Sequence, residues 1–424
     1  MPKVLINKNK KSIFYFLGLL MIFILALSSI FSPIKSLSFF NVIWALCIIG
    51  WFVFTFLENP TYLLLPSKHI LAIYFYIFYT IIIAYLSGNG TIGNRFFELS
   101  QIPIFFMAFE KNKLLGRNND NLFIIKLLIP FVLLTSIITL NAYRVNPYIS
   151  RSLKVSQGLG VENLRKGIGG YDFIYFLVLL IPILIFVLGK TKKKTSRFVF
   201  IIMIILFSFN IVLSNFSTAL LLLLLGLFMG FFVKKIKSSY FLIYLGFFVI
   251  LSFTYNAFSL FFLDFMIELL GDSMGSYRLN EIKAFLLTGD EGVSIEGRTE
   301  VFQQSLNVFY QNPIFGKISS PLTKNLDGNI TGFGQHSQIL DTFALFGLFI
   351  GLLQIYIYFY PIKRYLKESK YVISGFSLSI LLIFFTVITV NNATPSIGFA
   401  VFFIFPTVLN SLINNLHTNK NNYV

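Results

Sequence analysis

Apolar runs about as long as a bilayer is thick recur along this chain, and they decide most of what it can become. An α-helix rises 1.5 Å per residue, so roughly 20 apolar residues cross about 30 Å of hydrocarbon. Stretches of that kind follow one another from residue 13 to residue 413. In lipid, every backbone polar group must be paired inside the protein, and a continuous apolar run satisfies this by becoming a helix. A soluble protein of 424 residues with 56% hydrophobic and only 12% charged residues would have too little polar material to cover its surface. The expected fold is therefore all-α and polytopic, embedded in a membrane.

Twelve spans are expected, near 13–31, 39–57, 68–87, 96–109, 121–141, 171–189, 197–213, 217–233, 239–261, 337–360, 371–390 and 395–413. The fourth is short and carries Glu98. Loops alternating to one side hold 22 of the 34 Lys and Arg, from Lys3, Lys8, Lys10 and Lys11 through Lys111, Lys113, Arg117 and Lys126 to Lys363, Arg364, Lys367, Lys370 and Lys420. Cytoplasmic loops collect such residues, which places both termini in the cytoplasm. The net charge of +17 follows from the same bias and does not call for a nucleic-acid partner. No small-residue cleavage pattern follows the first run, so it is expected to be a retained helix. A single cysteine, Cys47, excludes an intrachain disulfide. Three regions result: 1–261 with nine spans and an external loop at 142–170, a large extracytoplasmic loop at 262–336, and 337–424 with three spans and a cytoplasmic tail.

The external loops carry the functional clues. Loop 142–170 holds Arg144, Arg151, Lys154, Arg165 and Lys166 against the single acid Glu162, in opposition to the charge bias of external loops. Strong flanking helices can translocate such a loop whatever its charge. The other reading is an anion site, where guanidinium groups grip phosphate oxygens through paired hydrogen bonds. Loop 262–336 holds nine acids and five bases, among them Arg278 and Arg298, and is too long for a plain connection. One loop is basic and the other acidic, so they are expected to pack together over the bundle.

A helix is expected over 297–311, where Phe302, Leu306 and Phe309 make one stripe that Arg298 extends by a turn. An arginine snorkelling at a membrane surface would show the same spacing. Asn312-Pro313 should stop this helix, and Gly316 should allow a turn. His336 opens the tenth span, with Gly347 and Gly351 as a small-residue pair suited to close helix packing. It is the one histidine in an external position, since His69 and His417 fall on the cytoplasmic side. Ionisable groups at membrane depth are costly and tend to be functional.

The order Gly-Arg-x3-Phe, Asn-Pro-x2-Gly, His-x10-Gly-x3-Gly, formed by Gly297, Arg298, Phe302, Asn312, Pro313, Gly316, His336, Gly347 and Gly351, resembles the signature of the O-antigen ligase and polysaccharide polymerase (Wzy-like) superfamily. Phe302 stands where Trp is common, Ile318 where a second loop glycine is common, and Ser337 where Asn is common. The resemblance implies a membrane glycosyltransferase of the GT-C-like type in the bacterial cytoplasmic (inner) membrane. Its donor and acceptor would be oligosaccharides on undecaprenyl pyrophosphate, and its reaction would build a surface polysaccharide such as O-antigen or capsule at the outer face. Further implied partners are membrane lipid, a chain-length regulator and a flippase.

In that chemistry a neutral histidine, His336, would activate the acceptor hydroxyl. Arg298, with Arg278, Arg144, Arg151 or Arg165, would bind pyrophosphate and glycan and stabilise the leaving charge. No metal and no cofactor are expected: the external loops contain neither an Asp-x-Asp pair nor a histidine cluster, and Asp290-Glu291 lies in a Gly-flanked turn. A polymerase joining repeat units is preferred to a ligase moving a finished glycan. A lipid-linked sugar flippase or transporter is the reading from another class. The placement of the long loop outside and after span nine counts against it.

Overall fold

The computed structural model describes residues 12–86, 90–150, 157–232, 263–268, 274–288, 293–317, 322–324, 330–332, 337–368 and 375–411, with Leu153, Leu260 and Gly271. These are helical throughout apart from turns and a small antiparallel hairpin, β1 (Leu322–Lys324) and β2 (Ile330–Gly332). The expected ninth span at 239–261 (apart from Leu260), His336, Arg151 and the Asp290-Glu291 turn lie outside the described residues.

Helices stand at every other expected span. In order they are α1 (Ile13–Ile30), the short α2 (Ser32–Lys35), α3 (Phe40–Glu58), the short α4 (Pro60–Leu64), α5 (Lys68–Leu86), α6 (Gly90–Leu114), α7 (Asn118–Val145), α8 (Gln157–Arg165), α9 (Tyr171–Lys190), α10 (Lys194–Leu213) and α11 (Ser217–Phe232). Then follow α12 (Met274–Thr288), α13 (Val293–Gln311), α14 (Gln338–Glu368), α15 (Gly375–Val390) and α16 (Pro395–Ser411), whose middle, Ala400–Ile404, widens into a π-helix. Among the described residues six helices, α1, α3, α7, α9, α10 and α14, are long and apolar enough to cross a membrane. Shorter apolar stretches lie in α5, α11, α15 and α16.

Burial separates the inside of the bundle from a lipid-compatible outside. Every side chain from Phe173 to Leu184 of α9 is buried, as is every residue from Ala393 to Thr407 along α16. A helix apolar and buried all round belongs at the centre. Accordingly α9 packs against α1, α10, α11, α15 and α16, and α16 against α1, α6 and α9. Peripheral helices show the reverse pattern. Val42, Leu46, Ile49 and Val53 of α3 and Phe198, Ile202, Ile205 and Phe209 of α10 repeat at i, i+4, i+7, i+11, and all eight are exposed. Exposed apolar stripes two to three turns long are what a helix turns toward lipid.

Two expectations are corrected by the packing. The fourth span is expected to be short, whereas α6 runs for 25 residues with Pro103 inside it. Three of the four bases assigned to the following cytoplasmic loop consequently sit on helices. Lys111 and Lys113 end α6, Arg117 precedes α7, and Lys126 lies within α7. Lys111 and Arg117 are buried against Glu58 at the end of α3, with Lys111 Nζ 2.6 Å from Oε2 and Arg117 Nη1 2.5 Å from Oε1. Arg117 also lies 4.1 Å over the Tyr15 ring, whose hydroxyl donates to Asp120 at 2.6 Å. A second inner pair joins Arg364 of α14 to Glu110 of α6.

The other correction concerns Gly347 and Gly351, expected to let two helices approach. Gly347 leaves the helix altogether, with φ 71° and ψ −170°, so α14 is two helical halves meeting at a kink. The regular bond from Leu348 N–H to the Ala344 carbonyl is replaced by two others. Leu348 N–H donates to the Pro313 carbonyl at 2.8 Å, and Lys317 N–H donates to the Ala344 carbonyl at 2.8 Å. The turn after α13 thus plugs into the break and satisfies both halves, as membrane interiors require. Close contact is bought by glycine here, but between a turn and a kink.

Candidate functional site

The site is assembled from the end of α13, the turn 312–317 and the first half of α14. Helix α13 ends where Asn312-Pro313 predicts: Asn312 N–H closes the last turn on Val308, and Gly316, at φ +70°, turns the chain with its N–H on the Asn312 carbonyl. A Cβ on Gly316 would stand 2.3 Å from the Leu345 carbonyl carbon, and one on Gly347 would stand 2.1 Å from the Ile314 oxygen. These two glycines, thirty-one positions apart in sequence, touch backbone to backbone.

Ser337 caps α14. Its hydroxyl accepts from Leu340 N–H at 3.2 Å and its carbonyl from Asp341 N–H at 2.9 Å. Ser and Asn serve this position about equally well, so Ser337 keeps the local chemistry of the Asn common in the resembled motif. One turn on, the Asp341 carboxylate is 1% exposed and accepts from Ser305 of α13 at 3.1 Å. Phe309 meets Phe343 edge-on with ring centres 5.5 Å apart. The expected stripe of Phe302, Leu306 and Phe309 is only half-buried, and among the described side chains of α13 the one buried most deeply is Ser305. A carboxylate beneath the helix calls for a donor there, which outweighs apolar periodicity.

Behind this turn a ladder of amides and hydroxyls fixes the half-helix in the bundle. Gln338 N–H donates to the Asn391 carbonyl at 3.1 Å, and Asn391 donates in turn to the Tyr175 hydroxyl at 3.3 Å. Gln338 Nε2 donates to Thr342, whose hydroxyl lies 2.6 Å from Gln354 Oε1; Gln354 Nε2 donates to the Tyr76 hydroxyl at 2.9 Å. A polar ladder inside a bundle specifies register, because a slip leaves several groups unpaired.

The residues expected at the site fare differently. The backbone of α13 carries Arg298, seven residues before Ser305 and so on the same helix face, and α12, which packs on α13, carries Arg278. Arg144 lies in the last turn of α7 and Arg165 in the last turn of α8, and both are exposed. Helix α8 packs on α2. There Lys166 pairs with Glu162 at 2.7 Å, and this hydrogen bond and charge hold the Glu162 carboxyl below its usual range.

Asp341, Ser305 and Gln354 are not among the residues singled out in the sequence. Asp341 could have been, as an acid one turn into an apolar run. Gln354 could not, because its partner Tyr76 is 278 positions away.

His69 has a structural role that the sequence hints at. Pro361 lacks an N–H, so the carbonyl four residues earlier, Ile357, loses its helical partner. His69 Nε2–H donates to that carbonyl at 3.0 Å, and the ring stacks on Tyr360 at 4.4 Å. His69→Phe leaves the carbonyl buried and unpaired, and a loss of about 1–3 kcal/mol is expected. Thermal melting of the detergent-purified variant checks this, with His69→Gln, which keeps a donor, falling between.

Neither a family model, nor a curated protein, nor a solved structure matches this chain.

Proposed function

We propose that the chain is a membrane glycosyltransferase, a polymerase that joins polyprenyl-pyrophosphate-linked repeat units into a surface polysaccharide. On this reading it has twelve spans in a GT-C-like arrangement, in the bacterial inner membrane, with both termini cytoplasmic and the site at the outer face. One observation carries the proposal. Gly316 and Gly347, two glycines of the resembled motif, meet in space and clamp the helix that carries Arg298 to the half-helix that follows His336.

In the proposed reaction His336 takes the proton of the acceptor hydroxyl as its oxygen bonds to the anomeric carbon. The bond from that carbon to pyrophosphate breaks with its electron pair, and Arg298 with Arg278 neutralises the departing oxygens. Arg144, Arg151 and Arg165 would hold the more distant glycan and phosphate. A positioned base contributes on the order of 10²–10⁴ in rate.

The test is complementation of a deletion strain, with sugar ladders resolved by electrophoresis. His336→Ala should leave single lipid-linked repeats in place of the ladder, and Arg298→Lys should also fail, because an ammonium cannot make paired contacts. Full ladders with His336→Ala would remove the base assignment. The kink in α14 also favours a second reading, since transporters and flippases bind substrate at broken helices. Repeats trapped on the cytoplasmic face of the deletion strain would decide for a flippase, and long free chains on lipid would decide for a ligase.

A further inference from the structure

The turn after α13 carries an apolar surface that the bundle leaves open. Tyr310 is 71% exposed, Ile314 53% and Phe315 66%, and Pro313 beside them is exposed as well. From Tyr310 to Gly316 the chain bears no charge. Two hydrogen bonds fix where this surface lies. The Pro313 carbonyl accepts from Leu348 and Lys317 N–H donates to Ala344, so the turn is level with the kink of α14.

The helix faces around the kink are of the kind that meets lipid. Leu348, Phe349 and Leu352 run along α14 from the kink, and Phe75, Phe78 and Ile82 of α5 repeat at i, i+3 and i+7; all six are exposed. Helix α5 packs on α14, and Tyr79 meets Phe346 edge-on with ring centres 6.2 Å apart, which sets the two helices in register.

These two helices also measure depth. Arg364, paired with Glu110 at the inner rim, lies sixteen residues beyond Leu348 on α14, about 24 Å at 1.5 Å per residue. A hydrocarbon layer of about 30 Å then continues for roughly 6 Å past the kink. On α5 the helix runs on from Tyr79 to Leu86 through Thr80, three isoleucines, Ala84 and Tyr85, about 10 Å of apolar helix above the same level. Both rulers put the turn inside the layer, although the sequence assigns it to a loop outside.

We propose that the turn 312–317 is a re-entrant element, seated in the leaflet on the side of loop 262–336, and that its partner there is lipid. Acyl chains cover Tyr310, Ile314 and Phe315. Lys317 is exposed and is bonded four residues nearer the start of α14 than Pro313, so its flexible stem carries the ammonium toward the phosphate layer. Irregular backbone at this depth needs partners within the protein. Pro313 has no N–H, the Asn312 and Gly316 N–H groups bond within the turn and the end of α13, and the remaining bonds go to the broken ends of α14. The contact of Gly316 with Gly347 is then a seal that closes a kinked helix against hydrocarbon. This holds whatever reaction the chain performs.

The test is a depth measurement on full-length protein in lipid nanodiscs. In a Cys47→Ser background, a nitroxide label is attached at Phe315→Cys and, as references, at Phe349→Cys and Lys166→Cys. Oxygen dissolves in hydrocarbon whereas a polar nickel chelate stays in water, so their collision rates with the label report what surrounds it. The label at 315 should favour oxygen over nickel several-fold, as the one at 349 does, and the label at 166 should favour nickel. If Phe315→Cys does not fold, the same reading at Tyr310→Cys decides. A label at 315 that meets nickel as often as the one at 166 would place the turn in water and overturn the proposal. A label reached by neither reagent would mean that protein, such as a second copy of this chain, covers the surface, and would overturn it equally.

Discussion

Gly347→Ala should destroy the fold where the turn after α13 meets α14. Its backbone, at φ 71° and ψ −170°, lies in a region that is essentially reserved for glycine, and a residue with a Cβ there costs about 1–3 kcal/mol. The added carbon would stand 2.1 Å from the Ile314 oxygen, 2.4 Å from its carbonyl carbon and 2.7 Å from Gly316 N. All three are backbone atoms, so no side chain can swing aside, and overpacking adds about 1–3 kcal/mol more. Relief requires the turn 312–317 to withdraw. The Ala344 carbonyl and the Leu348 N–H would then lose their partners inside the bundle, at about 1–3 kcal/mol each.

The measurement is thermal melting of detergent-purified protein followed by its monodispersity. Gly347→Ala and Gly316→Ala should both melt far below wild type or fail to purify as folded protein. Gly189→Ala is the control, because a Cβ there would meet nothing within 4 Å. If Gly347→Ala melts with Gly189→Ala, the turn is not docked in the kink and the geometry of the site is wrong.

Glu58→Ala should be almost as damaging, for an electrostatic reason. Glu58 is bonded to two cations at once, and the side chains of Lys111 and Arg117 are only 4% and 7% exposed. Removing the carboxylate leaves buried positive charge beside buried positive charge, a change that costs about 3–5 kcal/mol when a buried pair loses one partner. Asp120 is held by the Tyr15 hydroxyl, over whose ring Arg117 lies. The double variant Glu58→Ala with Lys111→Met should recover much of the loss, because it removes one of the stranded charges. Denaturation of the four combinations gives the coupling energy directly. A single-variant loss below about 1 kcal/mol, as at an exposed pair, would show that water reaches this end of the bundle.

The two expectations have different origins in the sequence. Gly347 and Gly316 are both singled out in the sequence, one in the expected tenth span and one three residues after Pro313. What they do is not visible. The same letters fit a small-residue helix seam, and only the positive φ at Gly347 and the exchanged bonds of Ala344 and Leu348 distinguish a docked turn from a helix pair. Glu58 gives still less sign of itself, because Lys111 and Arg117 look like ordinary cytoplasmic loop charges until α6 is seen to continue to Leu114 and to bury them.

Sequence by itself determined the class, the positions of the long apolar helices among the described residues and the point where α13 stops. Each of these follows from forces that act within a few turns: the transfer of about twenty apolar residues into lipid, and the steric demand of proline on the residue before it. Tertiary structure decided which polar groups are shared. Asp341 with Ser305, Gln354 with Tyr76, His69 with the carbonyl freed by Pro361, and Glu58 with Lys111 and Arg117 each join residues 36 to 288 positions apart or rest on a helix longer than its apolar run. A buried polar group must find a partner, but the physics of burial does not say which one. That choice is made only when the helices are packed.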